Sequence, residues 1–371
     1  MADQEGRGGL CTPTRWRLIA SGVLLAACPL LVLLFERFGE ALSGGYRPFS
    51  KGLLSLQATV ASVAPFALWD FLVAGLALAA LFTLVRRVVR RRPLLPWLSV
   101  VLLVSSATLF LFVSGWALNH YALSLANEIG LEVGAYTDDE LAATTRHYLE
   151  RAAALAPSVP RGEDGELLRQ DFYELARIAG GSYRELSGSY GIFEGSQAPV
   201  KALLLLGEPL LLSGHVGIFF SPTGESSVPV NCAVADLPFT MCHEAAHRLA
   251  IAREQEANFA AFLACTTSDD VRFSYSGYYS AFSFCYSALR RSDPDRAARL
   301  LDEVRTSGLD AGVGLVLADL VATGRHYDAY EGWFGRVGSA VNDGYLRSFG
   351  EREGVKSYGL VVDYLIAWDR R

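Results

Sequence analysis

The stretch PFTMCHEAAHRLAIAREQEANFAAF, at positions 238–262, concentrates side chains that can bind a metal ion. Within it, His243, Glu244 and His247 form the pattern H-E-x-x-H. Residues four apart share one face of a helix, so both imidazoles can reach one ion. Glu244 points about a third of a turn away, where it can hold a water molecule at that ion and accept its proton. Zinc peptidases use this spacing, so we predict a helix that binds Zn²⁺ and carries Glu244 as the catalytic base.

A catalytic zinc ion needs a third protein ligand, for which Glu254 and Glu256 are the candidates. In one straight helix Glu254 would lie about 10 Å beyond His247 along the axis. The helix must therefore end soon after His247, although no Gly or Pro marks a break there. Glu254 is favoured because Asn258 follows it by four residues. This E-x-x-A-N pattern resembles the E-x-x-A-D element of membrane-anchored gluzincin peptidases, in which the glutamate binds zinc and the acidic residue supports the site. Glu256 stays open as the alternative ligand.

Apolar residues are concentrated towards the amino terminus. The chain is 51% hydrophobic and 19% charged, which is too apolar for an ordinary soluble enzyme. Three nearly uncharged runs are each long enough to cross a hydrocarbon core of ~30 Å. They lie near 18–35, 60–85 and 94–118. We therefore predict a membrane domain of three transmembrane helices over residues 1–120. Asp70, near one end of the second run, is expected at a solvated interfacial position.

The distribution of basic residues predicts the orientation of these spans. The short link between the second and third runs carries five arginines, Arg86, Arg87, Arg90, Arg91 and Arg92. In the loop between the first and second runs, the basic residues are fewer and are offset by Glu36 and Glu40. Because basic loops remain in the cytoplasm, we predict a multi-pass protein with a cytoplasmic amino terminus. Residues 121–371 would then form an extracytoplasmic domain.

The region after Tyr121 has the pattern of a helix-rich α+β domain. Thr137 and Glu140 form a capping box at the start of a helical segment. Residues 200–231 are instead punctuated by Gly and Pro, which is typical of short strands and turns. Within them, 217–225 is a candidate for an edge strand beside the active helix, or for a hairpin in the core. The four cysteines of this region could form two disulfides, but buried free thiols are favoured.

Four segments together resemble a bacterial membrane family of unknown function, of the type called domain of unknown function 3810. They are LPFTMCHEAAHRLAIAREQEANFAAFLAC, FFSPTGESSVPVN, YSGYYSAF and YLRSFGEREGVKSYG. That family is regarded as zinc metallopeptidases because of its H-E-x-x-H and E-A-N elements. The resemblance implies a zincin-like, gluzincin-like fold in the bacterial cytoplasmic membrane. It also implies metal ligands at His243 and His247, with Glu254 or Glu256 and a supporting Asn258.

A peptidase also needs a donor that stabilises the oxyanion of the reaction intermediate. Tyr275, Tyr278, His326 and Tyr358 are candidates. Tyr358 is selected because it lies in one of the segments that carry the resemblance. His147 and His215 have no partners nearby in the sequence and are interpreted as structural.

We expect a membrane-anchored zinc-dependent endopeptidase that hydrolyses peptide bonds of extracytoplasmic or membrane-proximal proteins. Its partners would be a peptide or protein substrate and the lipid bilayer. The formal net charge of −6 and the absence of a basic tract away from the membrane segments argue against nucleic acid. The alternative is a membrane sensor or scaffold that keeps the zinc-binding fold without catalysis. An intact Glu244 argues against it, because a structural zinc site needs no base.

Overall fold

A computed structural model describes residues 12–349 and 360–371. Tyr358, the predicted oxyanion donor, lies outside the described residues. The protein is mainly helical, with one small sheet. Its amino-terminal helices are α1 (Thr12–Ala61), α2 (Leu68–Val89) and α3 (Leu95–Gly115). A 3₁₀ turn over Ala117–Tyr121 leads from α3 into the rest of the chain.

All three amino-terminal helices are long and apolar enough to cross a membrane. The predicted span at 18–35 is only part of α1, which continues without a break for 50 residues. At 1.5 Å per residue, α1 is about 75 Å long, far more than a bilayer core requires. Its second half buries Leu54 and Ala58 against the carboxyl-terminal region. Because of this packing, the segment between the first and second apolar runs, which the sequence predicted to be a loop, remains helical.

The carboxyl-terminal region contains most of the helices. They are α4 (Leu125–Ile129), α5 (Asp138–Leu155), α6 (Phe172–Gly181), α7 (Arg184–Ser189), α8 (Gly207–Leu212), α9 (Leu237–Arg248), α10 (Glu254–Thr266), α11 (Val271–Ser292), α12 (Pro294–Val304), α13 (Asp310–Asp328), α14 (Trp333–Ser348) and α15 (Val361–Asp369). The capping box predicted before α5 is present, because Thr137 and Glu140 each bond the other's backbone N–H. The main core lies among these helices.

A fourth stretch, Pro294–Asp328, is also long and apolar enough to span a membrane, in addition to the three runs predicted from the sequence. It comprises α12 and α13, which meet at a π turn where Gly308 has φ 96°. Within α13, Asp319 is buried and bonded to Arg161. The Asp319 carboxylate is therefore buried in the protein and paired with the Arg161 guanidinium.

The sheet has three short strands, β1 (Lys201–Leu203), β2 (Ile218–Phe220) and β3 (Glu225–Pro229). Their order is β1-β3-β2, with β1 parallel and β2 antiparallel to β3. The sequence suggested an edge strand or a hairpin for the segment 217–225. It contains the edge strand β2 and the turn that leads into β3, so it is part of a hairpin whose first strand lies at the sheet edge. Both β2 and β3 lie against α9.

The sheet holds the beginning of α2. The Glu225 carboxylate accepts hydrogen bonds from the backbone N–H groups of Leu68 (2.8 Å) and Trp69 (3.1 Å). In return, Asp70 accepts bonds from three consecutive backbone N–H groups, at Leu204, Leu205 and Leu206, over 2.8–2.9 Å. Asp70 is 0% exposed, so the predicted solvated position is wrong. It is buried because the loop after β1 supplies the hydrogen bonds that water would otherwise make.

The five cysteines that the structure describes are buried and free, as the favoured interpretation predicted. They are Cys28, Cys232, Cys242, Cys265 and Cys285. Cys242 lies on α9 beside the H-E-x-x-H motif. Its side chain faces Ser182 at 3.5 Å, and it is therefore part of the packing between α9 and the end of α6.

Candidate metal centre

The break after His247 that the metal site requires is present, without Gly or Pro. Helix α9 ends at Arg248, and Ala250 takes the left-handed conformation with φ 63°. The N–H of Ala250 bonds the carbonyl of His247, and that of Ile251 bonds Ala246, which is the Schellman pattern of helix termination. Helix α10 then begins at Glu254. An alanine in this conformation costs roughly 1–2 kcal/mol, and the buried surroundings of Ala250 fix it there.

The turn brings three potential ligands together. Nε2 of His243 and Nε2 of His247 are 3.1 Å apart. The Glu254 carboxylate lies 3.2 Å from the His243 nitrogen and 3.8 Å from the His247 nitrogen. Two nitrogens bound to zinc at ~2.05 Å in a tetrahedron are ~3.3 Å apart. The observed separation therefore suits a single zinc ion between the imidazoles.

The far nitrogens of both imidazoles are held by oxygen atoms. Nδ1 of His247 faces the carbonyl of Ile251 at 2.8 Å, and Nδ1 of His243 faces Oδ1 of Asn258 at 2.9 Å. These acceptors place the ring proton on Nδ1, so both Nε2 lone pairs point at each other and at the carboxylate. Such a set of acceptors is stable only with a cation among them. The donor set thus fits a zinc ion.

The pKa values of these groups indicate the same need for positive charge. Burial opposes ionisation of Glu254, but its hydrogen bond with His243 and the charges of the two histidines outweigh burial and lower its pKa to about 2. Burial lowers the pKa of His247 to about 4. Burial also lowers that of His243, but Glu254 overcomes this effect and the pKa is raised. Without a metal, a proton on His243 therefore supplies the positive charge.

Glu244 lies beside the three ligands without joining them. Its backbone carbonyl accepts a bond of 2.6 Å from the Ser226 hydroxyl of β3. Its Oε2 is buried and has no hydrogen-bond partner among the residues that the structure describes. Burial raises the pKa of this carboxyl group to about 8. Gly217 faces it so closely that a Cβ there would overlap the carboxylate, so glycine is what leaves room for Glu244.

Glu256, the alternative ligand, points elsewhere. Its carboxylate accepts bonds from Arg253 (2.9 Å) and from the Tyr364 hydroxyl (3.2 Å). Arg253 also donates to the carbonyls of His120 and Ala122. Two residues after Glu254 on the same helix, Glu256 lies on a different face. Glu256 therefore joins α10 to α15 and, through Arg253, to the 3₁₀ turn that follows α3. It takes no part in the cluster of candidate ligands.

A cavity of about 1070 Å³ contains the metal centre. Its wall combines His243, Glu244, His247, Glu254 and Asn258 with β2, with α14 and with the end of α3. The membrane region touches the centre directly, because Nε1 of Trp116 donates to the His247 carbonyl over 2.9 Å. A peptide segment several residues long would fit in this volume.

The structure separates Tyr275, Tyr278 and His326, three of the four candidate oxyanion donors, from the cavity. The Tyr275 hydroxyl bonds Asp319, the Tyr278 hydroxyl lies 3.4 Å from Arg151, and His326 packs on aromatic rings. None of the three is among the described residues that line the cavity.

The cavity wall includes two residues that the sequence interpretation had set aside or missed. His215, interpreted as structural, lines the wall with Nδ1 2.9 Å from the Ser213 hydroxyl. Tyr345, which was not considered, also lines it and faces Nε2 of His120 at 3.2 Å. No motif links these residues to α9, because they reach the cavity from distant elements.

The apolar helices and the buried cluster of His243, His247 and Glu254 define a membrane protein with a candidate metal centre. Residues 46–366 match the model of a protein family described as "Protein of unknown function (DUF3810)". The chain belongs to this family, and the match runs from the last third of α1 through the candidate metal centre to most of α15. No curated protein and no solved structure matches the chain.

Proposed function

We propose that the protein is a membrane-anchored, zinc-dependent endopeptidase with a zincin-like catalytic domain. The observation that carries this proposal is the convergence of His243, His247 and Glu254 in the wall of a large cavity, with Glu244 beside them. A purely structural zinc site is closed and needs no base. Here the three candidate ligands line the cavity, so a zinc ion that they held would be accessible to water and substrate, and beside them lies the Glu244 carboxylate, whose Oε2 has no hydrogen-bond partner among the described residues.

The residues of this chain would divide the work of peptide hydrolysis. Zinc, when bound by His243, His247 and Glu254, supplies Lewis acidity that polarises the substrate carbonyl and acidifies water. Glu244 accepts a proton from the attacking water and donates it to the departing amine nitrogen. The edge strand β2, which lines the cavity, offers backbone groups with which an extended peptide can pair.

The proposed location is outside the cytosol, in a bacterial cytoplasmic membrane. The arginine-rich link joins α2 to α3 at one end of α3, whereas Trp116 at the other end contacts the metal centre. With 21 residues, α3 is about 32 Å long, which is the thickness of a hydrocarbon core. If the arginines stay in the cytoplasm, the catalytic residues lie across the bilayer from them.

The test compares cells that produce the wild-type protein with cells that produce Glu244→Gln. This substitution keeps the shape of the side chain and the three ligands but removes the base. We expect equal zinc content in the two purified proteins, and wild-type-dependent new amino termini in a proteome-wide analysis of protein ends. Loss of a catalytic base costs about 10²–10⁴-fold in rate. If both proteins hold zinc and the two sets of termini are identical, the peptidase proposal is wrong.

A further inference from the structure

Helix α14 exposes an apolar surface at the mouth of the cavity. Trp333 and Val341 are each 68% exposed, and Phe334 and Val337 about half exposed. At about 100° per residue these four side chains lie within one arc of the helix, roughly 100° wide. The charged residues Arg336, Asp343 and Arg347 lie together on a separate arc. An apolar arc bordered by charge is typical of helices that lie in a membrane interface.

The opposite face of α14 holds it in place beside the cavity. Gly338 packs on the backbone of Ser213, where a Cβ would overlap the carbonyl, and Leu346 is fully buried. Near its carboxyl end, the ring of Tyr345 lies 6.0 Å from that of Phe112 on α3. The other face of α14 is therefore fixed by packing against the protein, and the helix exposes its apolar arc on the outer side.

Two independent contacts place α14 at the level of the bilayer boundary. Phe112 belongs to the last turn of α3, the end opposite the arginine-rich link. On the other side, α14 packs against the end of α8, which begins one residue after Leu206. The Leu206 backbone is bound by Asp70 in the first turn of α2. The first turn of α2 and the last turn of α3 lie at the same end of this helical hairpin.

The exposed apolar surface continues beyond α14. Leu204 and Leu205, which precede Leu206 and the start of α8, and Leu212 at the end of α8 are each more than 40% exposed. On α3, Leu109 and Leu111 are exposed next to Phe112. An apolar rim therefore runs from α14 through α8 to the membrane helices. Apolar surface that joins onto membrane helices at their ends is most simply covered by lipid.

The cavity opens within this rim. Phe112 of α3, Leu210 of α8 and three apolar residues of α14, Phe334, Val337 and Val341, line it together with the metal ligands. We propose that α14 lies in the interface on the extracytoplasmic side of the cytoplasmic membrane. The cavity would then admit its substrate laterally, from the bilayer surface. The substrate class would be the extended juxtamembrane segment of a membrane-anchored polypeptide. This substrate class rests on the proposed function, whereas the contact of α14 with lipid does not.

The contact with lipid is tested on the full-length protein in phosphatidylcholine bilayers whose acyl chains carry bromine near the headgroup. Bromine quenches tryptophan fluorescence only at close range, so Trp333 is isolated by subtracting the spectrum of Trp333→Phe. We expect the Trp333 component to be quenched by about half or more, as for an interfacial indole. The same subtraction with Trp368→Phe, on α15, is the control and should show no quenching. An unquenched Trp333 component overturns the proposal.

The substrate class is tested by the protein termini that depend on Glu244. We expect these cleavage sites to lie within about 15 residues of a transmembrane segment, a length that spans at most ~50 Å when fully extended. Trp333→Asp should reduce their yield about tenfold, the equivalent of 1.4 kcal/mol in docking, while Trp333→Leu retains them and both variants keep zinc.

The two proposals fail in different ways. Glu244-dependent sites that lie mainly in soluble proteins and are insensitive to Trp333→Asp contradict lateral entry but support the peptidase. If no Glu244-dependent site exists, the peptidase and its substrate class both fail. The quenching experiment still decides whether α14 contacts lipid, because it requires no activity.

Discussion

Two buried acidic clusters of the carboxyl-terminal region balance their charge in different ways. In one, the Asp319 carboxylate on α13 accepts hydrogen bonds from the two terminal guanidinium nitrogens of Arg161, at 2.7 and 3.0 Å, and from the Tyr275 hydroxyl. In the other, Glu254 faces two imidazoles whose ring protons are already committed to oxygen acceptors. The first carboxylate has its cation within the protein, whereas the second has none unless a proton or a metal ion is added.

This difference separates a structural charge cluster from a candidate metal centre. A buried ion pair with complete hydrogen bonding needs nothing further, and its loss affects folding. A cluster that consists only of acceptors is unstable unless it binds a cation. Burial and charge alone therefore do not identify a site. The deciding property is whether the donors and acceptors within the cluster match.

The largest expected effect is on zinc binding. His243→Ala should weaken zinc binding more than about 100-fold, because it removes a ligand, whereas Asn258→Ala should weaken it about 10–100-fold by releasing the ring of His243. Asp319→Asn should leave zinc affinity unchanged. Metal analysis and titration of the purified proteins measure all three. Equal zinc in wild-type and His243→Ala protein would place the metal, if any, elsewhere.

The next effect concerns the structural cluster. Asp319→Ala leaves the Arg161 guanidinium buried without its carboxylate, so we expect a loss of about 3–5 kcal/mol in stability. Thermal unfolding in detergent measures it, with the exposed Asp302→Ala as a matched control that should change little. If Asp319→Ala unfolds at the wild-type temperature, the contrast between the two clusters is not real.

The two clusters should also differ in their response to acid. In zinc-free protein the pKa of Glu254 is lowered from 4.5 to about 2. A carboxyl group with a lowered pKa adds stability above its unfolded pKa and loses it as the pH falls through the folded one. The difference in melting temperature between wild type and Glu254→Gln should therefore shrink between about pH 4.5 and pH 2. A difference that is constant over this range contradicts the interaction of Glu254 with the histidines.

The smallest effect concerns the turn between α9 and α10. Ala250 has a positive φ, which glycine adopts without strain. Ala250→Gly should therefore stabilise the protein by up to about 1 kcal/mol without loss of zinc. Ala252→Gly, at a buried position outside the left-handed region, is the control and should destabilise. A destabilised Ala250→Gly protein would show that the alanine methyl contributes more through packing than it costs in strain.

Much of the candidate metal centre could be predicted from the sequence, because the spacing of residues along one helix fixes which side chains share a face. Residues four apart meet on a helix wherever that helix lies, so His243 and His247 needed no tertiary information. The need for a break before Glu254 followed from the rise of a helix. How the chain would break was not visible, because Ala250 is held in a disfavoured conformation by its buried surroundings. The choice between Glu254 and Glu256 likewise depended on Tyr364, which engages Glu256 from α15, and on Arg253, which pairs with Glu256 while it donates to the carbonyls of His120 and Ala122.

Longer-range features escaped the sequence for the same reason. The second half of α1 looked like a loop because its apolar residues are sparse, but it remains helical where Leu54 and Ala58 pack against distant residues. From the sequence, Asp70 was expected to be solvated, because the backbone N–H groups that bond its carboxylate belong to a loop more than a hundred residues later in the chain.

The sequence by itself determined the amino-terminal apolar helices that are long enough to cross a membrane, and the pair of imidazoles with its neighbouring carboxylate. These depend on the hydrophobicity of a single segment and on the period of a single helix. Only the tertiary structure decided which glutamate completes the cluster, which residues surround the cavity and where α14 lies. Those outcomes depend on hydrogen bonds and packing between elements far apart in the chain, which no local pattern encodes.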